Sequence, residues 1–203
     1  MCRLLMSGYV KKVLSAMDIE RYQKELLELI KTNAYFREKI TLSSGKESDY
    51  YIDARRITLC SQGAFLCAHL MLDKVKDLSF DALGGPTLGA DPMIGAINCL
   101  AHQQGQSLNT FLIRKQSMTH GKAQMFEGPP LKQGSRVVVI DDVATTGKAF
   151  LHSIDVLSAL DIKVEQCICL VDRNEGAADA IKDKGSVLVS LFKADKIHNA
   201  SSF

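Results

Sequence analysis

The 203-residue sequence has no Cys-x-x-Cys pair, no internal repeat, no low-complexity tract, and no apolar run near the ~20 residues that span a bilayer. It also has no surplus of one charge. Twenty-five Lys and Arg stand against 23 Asp and Glu, a formal net charge of +2. That balance argues against nucleic-acid or anionic-membrane partners, so an anionic ligand has to be met by local chemistry. The six cysteines, Cys2, Cys60, Cys67, Cys99, Cys167 and Cys169, mostly sit in apolar runs, where reduced thiols pack as small hydrophobes. Cys167 and Cys169 have strand spacing and point to one face. A metal pair is the alternative there, but no second pair completes a zinc set. Leu4, Leu5 and Met6 do not amount to a signal-peptide core. The expectation is a cytoplasmic protein.

What is present is an alternation of helices and strands in a chain whose apolar fraction is 46%. One domain over 17–203 is expected, with 1–16 an N-terminal extension and Met17 an alternative start. Ile19, Tyr22, Leu26, Leu27 and Ile30 recur at helical spacing. Residues 40–57 read as two extended pieces around a Ser/Gly turn, and Ser61 as the cap of a helix reaching Val75. Next come an apolar piece and turn (80–91), a helix to Gly105, and a strand at 109–115. A polar loop then carries Gly121, Gly128, Gly134, Pro129 and Pro130; loops of this length in compact domains are usually functional or disordered. Strands at 136–140, 164–171 and 186–192 alternate with helices at 148–160 and after "DRNEG". Apolar strands without period-2 alternation, separated by helices, predict an α/β fold: a doubly wound, mostly parallel sheet covered on both faces.

The segment "VVVIDDVATTG" (137–147) puts two carboxylates at the end of such a strand, where open parallel sheets bind ligands. "VATTG" then offers backbone N–H groups, two hydroxyls and a helix N-terminus, a combination that suits a phosphate dianion. Carboxylates beside a phosphate are repulsive unless they address sugar hydroxyls or a cation, and a phosphorylated sugar satisfies both halves. The alternative is a capped strand-to-helix turn with no ligand. Gly147-Lys148 is not a P-loop end, because Asp142 and Ala149 occupy the positions that need Gly and Ser/Thr. Gly84, Gly85 and Gly89 do not make a dinucleotide fingerprint. His69, His102, His152 and His198 carry no motif and read as core or helix-surface residues.

"VVVIDDVATTGKA" resembles the phosphoribosyl pyrophosphate (PRPP) signature of the type I phosphoribosyltransferases. "LSSGKESDYYID", "GGPTLGADP", "RKQSMTHG", "FEGP" and "VDRNEG" narrow the resemblance to the orotate phosphoribosyltransferase family, over roughly residues 17 to 195. The resemblance implies that fold with a small N-terminal hood, and a Mg2+-dependent transfer of ribose 5-phosphate from PRPP to N1 of orotate, giving orotidine 5-monophosphate for UMP synthesis. Asp141 and Asp142 take the ribose hydroxyls and face the oxocarbenium-like transition state. Val143, Ala144, Thr145, Thr146, Gly147, Lys148 and Ala149 form the phosphate cradle. Gly84, Gly85 and Thr87 form the pyrophosphate loop, the glycines letting backbone approach the ligand. Arg114, Lys115, His120 and Lys122 serve PRPP and catalysis. Arg173 pairs with the orotate carboxylate, helped by Thr145 and by Lys46, with Tyr50 or Tyr51 in the hood over the base. The bland alternative for Arg173 is a surface ion pair with Asp172 or Glu175. Magnesium is held mainly by substrate and water, with no firm protein ligand. The partners are PRPP, orotate and a second copy of the chain, loop 114–128 being shared across a homodimer; nucleic acid and membrane are not expected.

One position departs from the pattern. The family carries a catalytic lysine where this chain has Met118, whose thioether cannot neutralise departing pyrophosphate. Lys122 or Lys115 compensates in a working enzyme. The alternative is a weakened protein that binds PRPP to regulate something else. Transfer to a purine is disfavoured because purines lack the carboxylate that Arg173 suits.

Overall fold

Helix α1 (Ala16–Asn33) starts where its first N–H groups find a partner: the Ser15 hydroxyl accepts from Asp18 N while the Asp18 carboxylate accepts from Ser15 N. The computed structural model describes residues 15–41, 47–116 and 125–199. After α1, short strands β1 (Tyr35–Phe36), β2 (Ile40–Thr41), β3 (Glu47–Ser48) and β4 (Tyr51–Ile52) form two antiparallel pairs, β1 with β4 and β2 with β3. They make the small hood. Helix α2 (Arg55–Thr58) leads into α3 (Ser61–Val75). The cap of α3 is Cys60, not Ser61: Cys60 has extended backbone, and its sulfur accepts from Gly63 N at 3.3 Å.

Beyond the hood lies the sheet. Strands β5 (Ala82–Pro86), β6 (Asn109–Ile113), β7 (Phe126–Glu127), β8 (Arg136–Ala144), β9 (Lys163–Asp172) and β10 (Leu188–Lys193) lie in the order β10-β9-β8-β5-β6-β7. All neighbours are parallel except β7, an antiparallel edge strand. The sequence reading folded β7 into the polar loop. Its two residues are too few to show a period, and they are held by the β6 ladder and by Phe126 stacking on Phe111 at 5.3 Å.

Both faces of the sheet are covered. Val138 and Ile140 pack with α1, α3 and α4 (Asp91–Gln103), while Val137 and Val139 pack with α5 (Lys148–Ser158) and α6 (Ala177–Asp183). Alternate residues thus enter opposite cores, so the run reads as unbroken apolar. Strand β8 does not stop at Ile140 as expected. The β9 ladder continues to Ala144, with Asp141 opposite Cys169 and Ala144 opposite Asp172. A terminal helix, α7 (Ala194–Asn199), went unread in the sequence. Cys167 and Cys169 do share a face, deep in the core, and burial pushes the Cys167 thiol up to about 12. Among the described residues no third His, Cys, Asp or Glu joins them in a group that could hold a metal ion.

Candidate active site

Strand order reverses between β5 and β8: the chain runs from β5 outward to β6, then returns to β8 on the other side. Open α/β sheets bind ligands at such switch points. There a cavity of about 470 Å³ opens, lined by Thr87, Leu88 and Gly89 after β5, by Lys115 after β6, by Asp141, Asp142, Val143, Thr145 and Ala149, by Arg173, and by Tyr51, Asp53 and Arg55 from the hood and α2.

The two carboxylates set the electrostatics. Asp141 is 6% exposed; its Oδ1 accepts from Asp142 N at 2.9 Å, and Asp142 Oδ1 accepts from Val143 N at 2.7 Å. Burial pushes Asp141 well above the usual carboxylate range, the neighbouring Asp142 charge adds to the rise, and Lys115 opposes it. Asp142 is also raised by burial, offset by the Val143 N–H bond and by Arg55. Carboxylates short of solvation are strong acceptors for hydroxyl donors and favour a nearby cation.

Backbone geometry completes this end. A Cβ on Gly89 would stand 2.3 Å from Asp141 Oδ1 and 2.6 Å from Asp142 Oδ1, so only glycine lets the loop lie against both acids. The Thr87–Leu88 peptide bond is cis. Gly147, at φ +79°, enters α5 without a side-chain cap, leaving first-turn N–H groups open beside Ala149. The reason offered for Gly84 and Gly85 is corrected: a Cβ there would meet Phe111 O at 2.1 Å or Ile140 O at 2.0 Å. Sheet neighbours, not an approaching ligand, fill that space, and the cavity lining begins at Pro86.

At the other end Arg173 is 6% exposed and not a surface residue. Its N donates to Ala144 O at 2.9 Å, its Nε to Glu175 Oε1 at 2.8 Å, and its Nη2 to Ser48 Oγ at 3.0 Å. The guanidinium carbon stands 4.5 Å from the centre of the Tyr50 ring, itself stacked on Tyr35 at 5.7 Å. Of the adjacent tyrosines 50 and 51, Tyr51 lines the cavity and Tyr50 packs beneath Arg173. The loop is held by Asp172, which accepts from Asn174 N at 2.9 Å, and by Asn174 Nδ2 on Asp195 at 3.0 Å.

The fold therefore brings together Thr87, Lys115, Asp141, Asp142, Val143, Thr145, Ala149 and Arg173. Ala144, Thr146, Gly147 and Lys148 lie on the same strand-to-helix turn without lining the cavity. Arg114 pairs with Glu127 at 3.0 Å, away from the lining. Lys46, Met118, His120 and Lys122 lie outside the described residues. Sequence reading missed Gly89, Asp53 and Arg55; the signal for the last two was an acid followed two residues later by a basic pair, "DARR". Among the described residues no cluster of three or more His, Cys, Asp or Glu could hold a metal, and no helix is long and apolar enough to cross a membrane.

The profile of the phosphoribosyl transferase domain family matches residues 62–200. The chain is 42% identical over 163 residues to an orotate phosphoribosyltransferase of Streptomyces coelicolor, covering 80% of this chain and 89% of that one. It is 42% identical over 167 residues to that of Corynebacterium glutamicum, covering 82% and 89%. Among solved structures, the Mycobacterium tuberculosis orotate phosphoribosyltransferase in complex with 5-phospho-α-D-ribosyl 1-diphosphate superposes with a TM-score of 0.72 at 33% identity, covering 87% of this chain and 99% of that one. The Aeropyrum pernix orotate phosphoribosyltransferase gives 0.71 at 32%, covering 88% and 99%.

Proposed function

The chain belongs to the orotate phosphoribosyltransferases, and from that membership we propose that it transfers ribose 5-phosphate from PRPP to N1 of orotate, releasing pyrophosphate. The observation that carries this reading is that an acid pair with Asp141 buried, a helix N-terminus without a side-chain cap and a buried arginine share one cavity. The fit of the Mycobacterium tuberculosis enzyme, whose structure holds PRPP, supports the same substrate here.

Asp141 and Asp142 accept hydrogen bonds from the ribose 2- and 3-hydroxyls. As the C1–O bond to pyrophosphate breaks and the C1–N1 bond forms, positive charge grows on the ring next to these preorganised carboxylates. The N–H groups of the 143–149 turn, with the Thr145 and Thr146 hydroxyls, hold the 5-phosphate. Arg173 holds the orotate carboxylate with help from Lys46 and Thr145, and Arg114, Lys115, His120 and Lys122 serve the pyrophosphate, with Thr87 beside it. Mg2+, when bound, neutralises the pyrophosphate. Asp141 and Asp142 are too few to cage it, and substrate and water would supply most of its ligands. Reduced, buried thiols such as Cys67, pushed up to about 12, suit a cytoplasmic enzyme.

Loss of orotate absorbance with PRPP and Mg2+ tests the reading. Turnover is expected, and PRPP binding without turnover would instead favour the regulatory alternative that Met118 raises. Compensation at the loop is tested by pairing Met118→Lys with Lys122→Ala: the first should raise kcat less than about tenfold, or ~1.4 kcal/mol, and the second should lower it. The reverse pattern means the loop is weakened. A homodimer sharing loop 114–128 is expected in sedimentation at assay concentration, and a fully active monomer would rule it out.

A further inference from the structure

Arg173 is committed on two of its edges. Glu175 Oε1 accepts from Nε at 2.8 Å, and Ser48 Oγ accepts from Nη2 at 3.0 Å. The side chains of Arg173 and Glu175 are only 4% and 18% exposed, and the second carboxylate oxygen of Glu175 is buried with no hydrogen-bond partner. A guanidinium can meet a carboxylate through its Nε/Nη edge or through its two Nη groups. Here the first edge is closed by the protein's own carboxylate. The second is blocked only by a hydroxyl, which is neutral and sits on a hood strand two residues long.

We propose that Glu175 is a positioning residue for base recognition: by occupying Nε it confines Arg173 to an end-on, two-Nη grip on a planar carboxylate, with Ser48 a placeholder released as the substrate arrives. Tyr50, 4.5 Å from the guanidinium carbon, backs the group from one face, so the remaining freedom is rotation about the bond that Glu175 restrains. The proposal rests on the reading that Arg173 binds the orotate carboxylate.

Position and charge make opposite demands on the same residue. If Glu175 served only to neutralise Arg173, removing its charge would make the site more attractive to an anion, and orotate would bind more tightly. Two conservative variants separate the cases. Glu175→Gln keeps an acceptor at the same reach without charge; Glu175→Asp keeps the charge and withdraws the acceptor by one methylene.

Steady-state constants for both substrates are measured in Glu175→Gln, Glu175→Asp, Arg173→Ala and Arg173→Ala/Glu175→Gln. Positioning predicts an orotate KM within about threefold of wild type for Glu175→Gln, and about tenfold or more higher for Glu175→Asp. The PRPP KM should stay within about twofold, and Glu175→Gln should add nothing to Arg173→Ala. Tighter orotate binding in Glu175→Gln, an unchanged Glu175→Asp, or equal loss for both substrates overturns the proposal. If Glu175→Asp does not fold, Glu175→Gln decides: an orotate KM moved more than about tenfold overturns it, and an unmoved one beside an impaired Arg173→Ala supports it. An Arg173→Ala protein with normal orotate KM instead removes the parent reading, a result distinct from failure of the Glu175 variants alone.

Discussion

The two ends of the cavity are built on opposite plans. The acid end comes from one stretch of chain: Asp141, Asp142, Val143, Thr145 and Ala149 lie within nine residues on the end of β8 and the turn into α5. The arginine end comes from distant stretches, since Arg173 meets Ser48 across 125 residues of sequence and leans on Tyr50 and Tyr35 from the hood. One end holds two acids side by side, with Asp141 buried and raised by that burial and by the Asp142 charge. The other holds opposite charges, paired. The acid end thus stores unfavourable electrostatics that a ligand relieves, while the arginine end is neutralised in advance and a ligand must displace something.

The largest expected break in this comparison comes from the acid end. Asp141→Asn/Asp142→Asn should lower kcat/KM by about a hundredfold or more, as loss of preorganised charge stabilisation does in other enzymes. It should also raise Tm, because the variant no longer buries a repelling pair. Activity loss accompanied by a fall in Tm would mean that the pair supports the fold.

Arg173→Ala comes next, and should behave the other way round. Orotate binding is expected to weaken by about 1.5–3 kcal/mol, the scale of a hydrogen bond to a charged group, with PRPP binding almost unchanged. Tm should drop, because Glu175 is left buried without its partner. Equal weakening of both substrates would erase the division into two ends.

The smallest effect is a pH dependence of stability in the ligand-free protein. Both acids are raised in the folded state above the ordinary value of 3.8. The folded chain therefore binds protons that the unfolded chain releases, and this contribution to stability grows as pH falls through the folded pKa values toward the unfolded one. The Tm advantage of Asp141→Asn/Asp142→Asn should be largest near about pH 7 and shrink toward about pH 4. An advantage that widens with acid would show that the pair is not raised.

Legibility followed the same division. Val137 to Gly147 could be read alone, because an apolar run, two acids and a turn leading into a helix are consecutive in the chain and each dictates its neighbour's role. Gly89 could not, since its significance is that a Cβ there would stand 2.3 Å from an oxygen of Asp141, fifty-two residues on. Ser61 was taken for a helix cap that Cys60 supplies, because capping depends on which residue keeps extended backbone. Strand β8 was cut short because its length depends on how far β9 pairs with it.

By itself the sequence determined what is local and periodic: the long helices, the buried strands, the parallel sheet and the turn that follows the acid pair, all set by side-chain period and by residues adjacent in the chain. Tertiary structure alone decided which tyrosine faces the cavity, that Arg173 is buried on Glu175 and not on the surface, and that Gly84 and Gly85 answer to Phe111 and Ile140. Those outcomes depend on distances between segments far apart in the chain, and such distances exist only once the sheet has closed its ladders and the hood has folded over its edge.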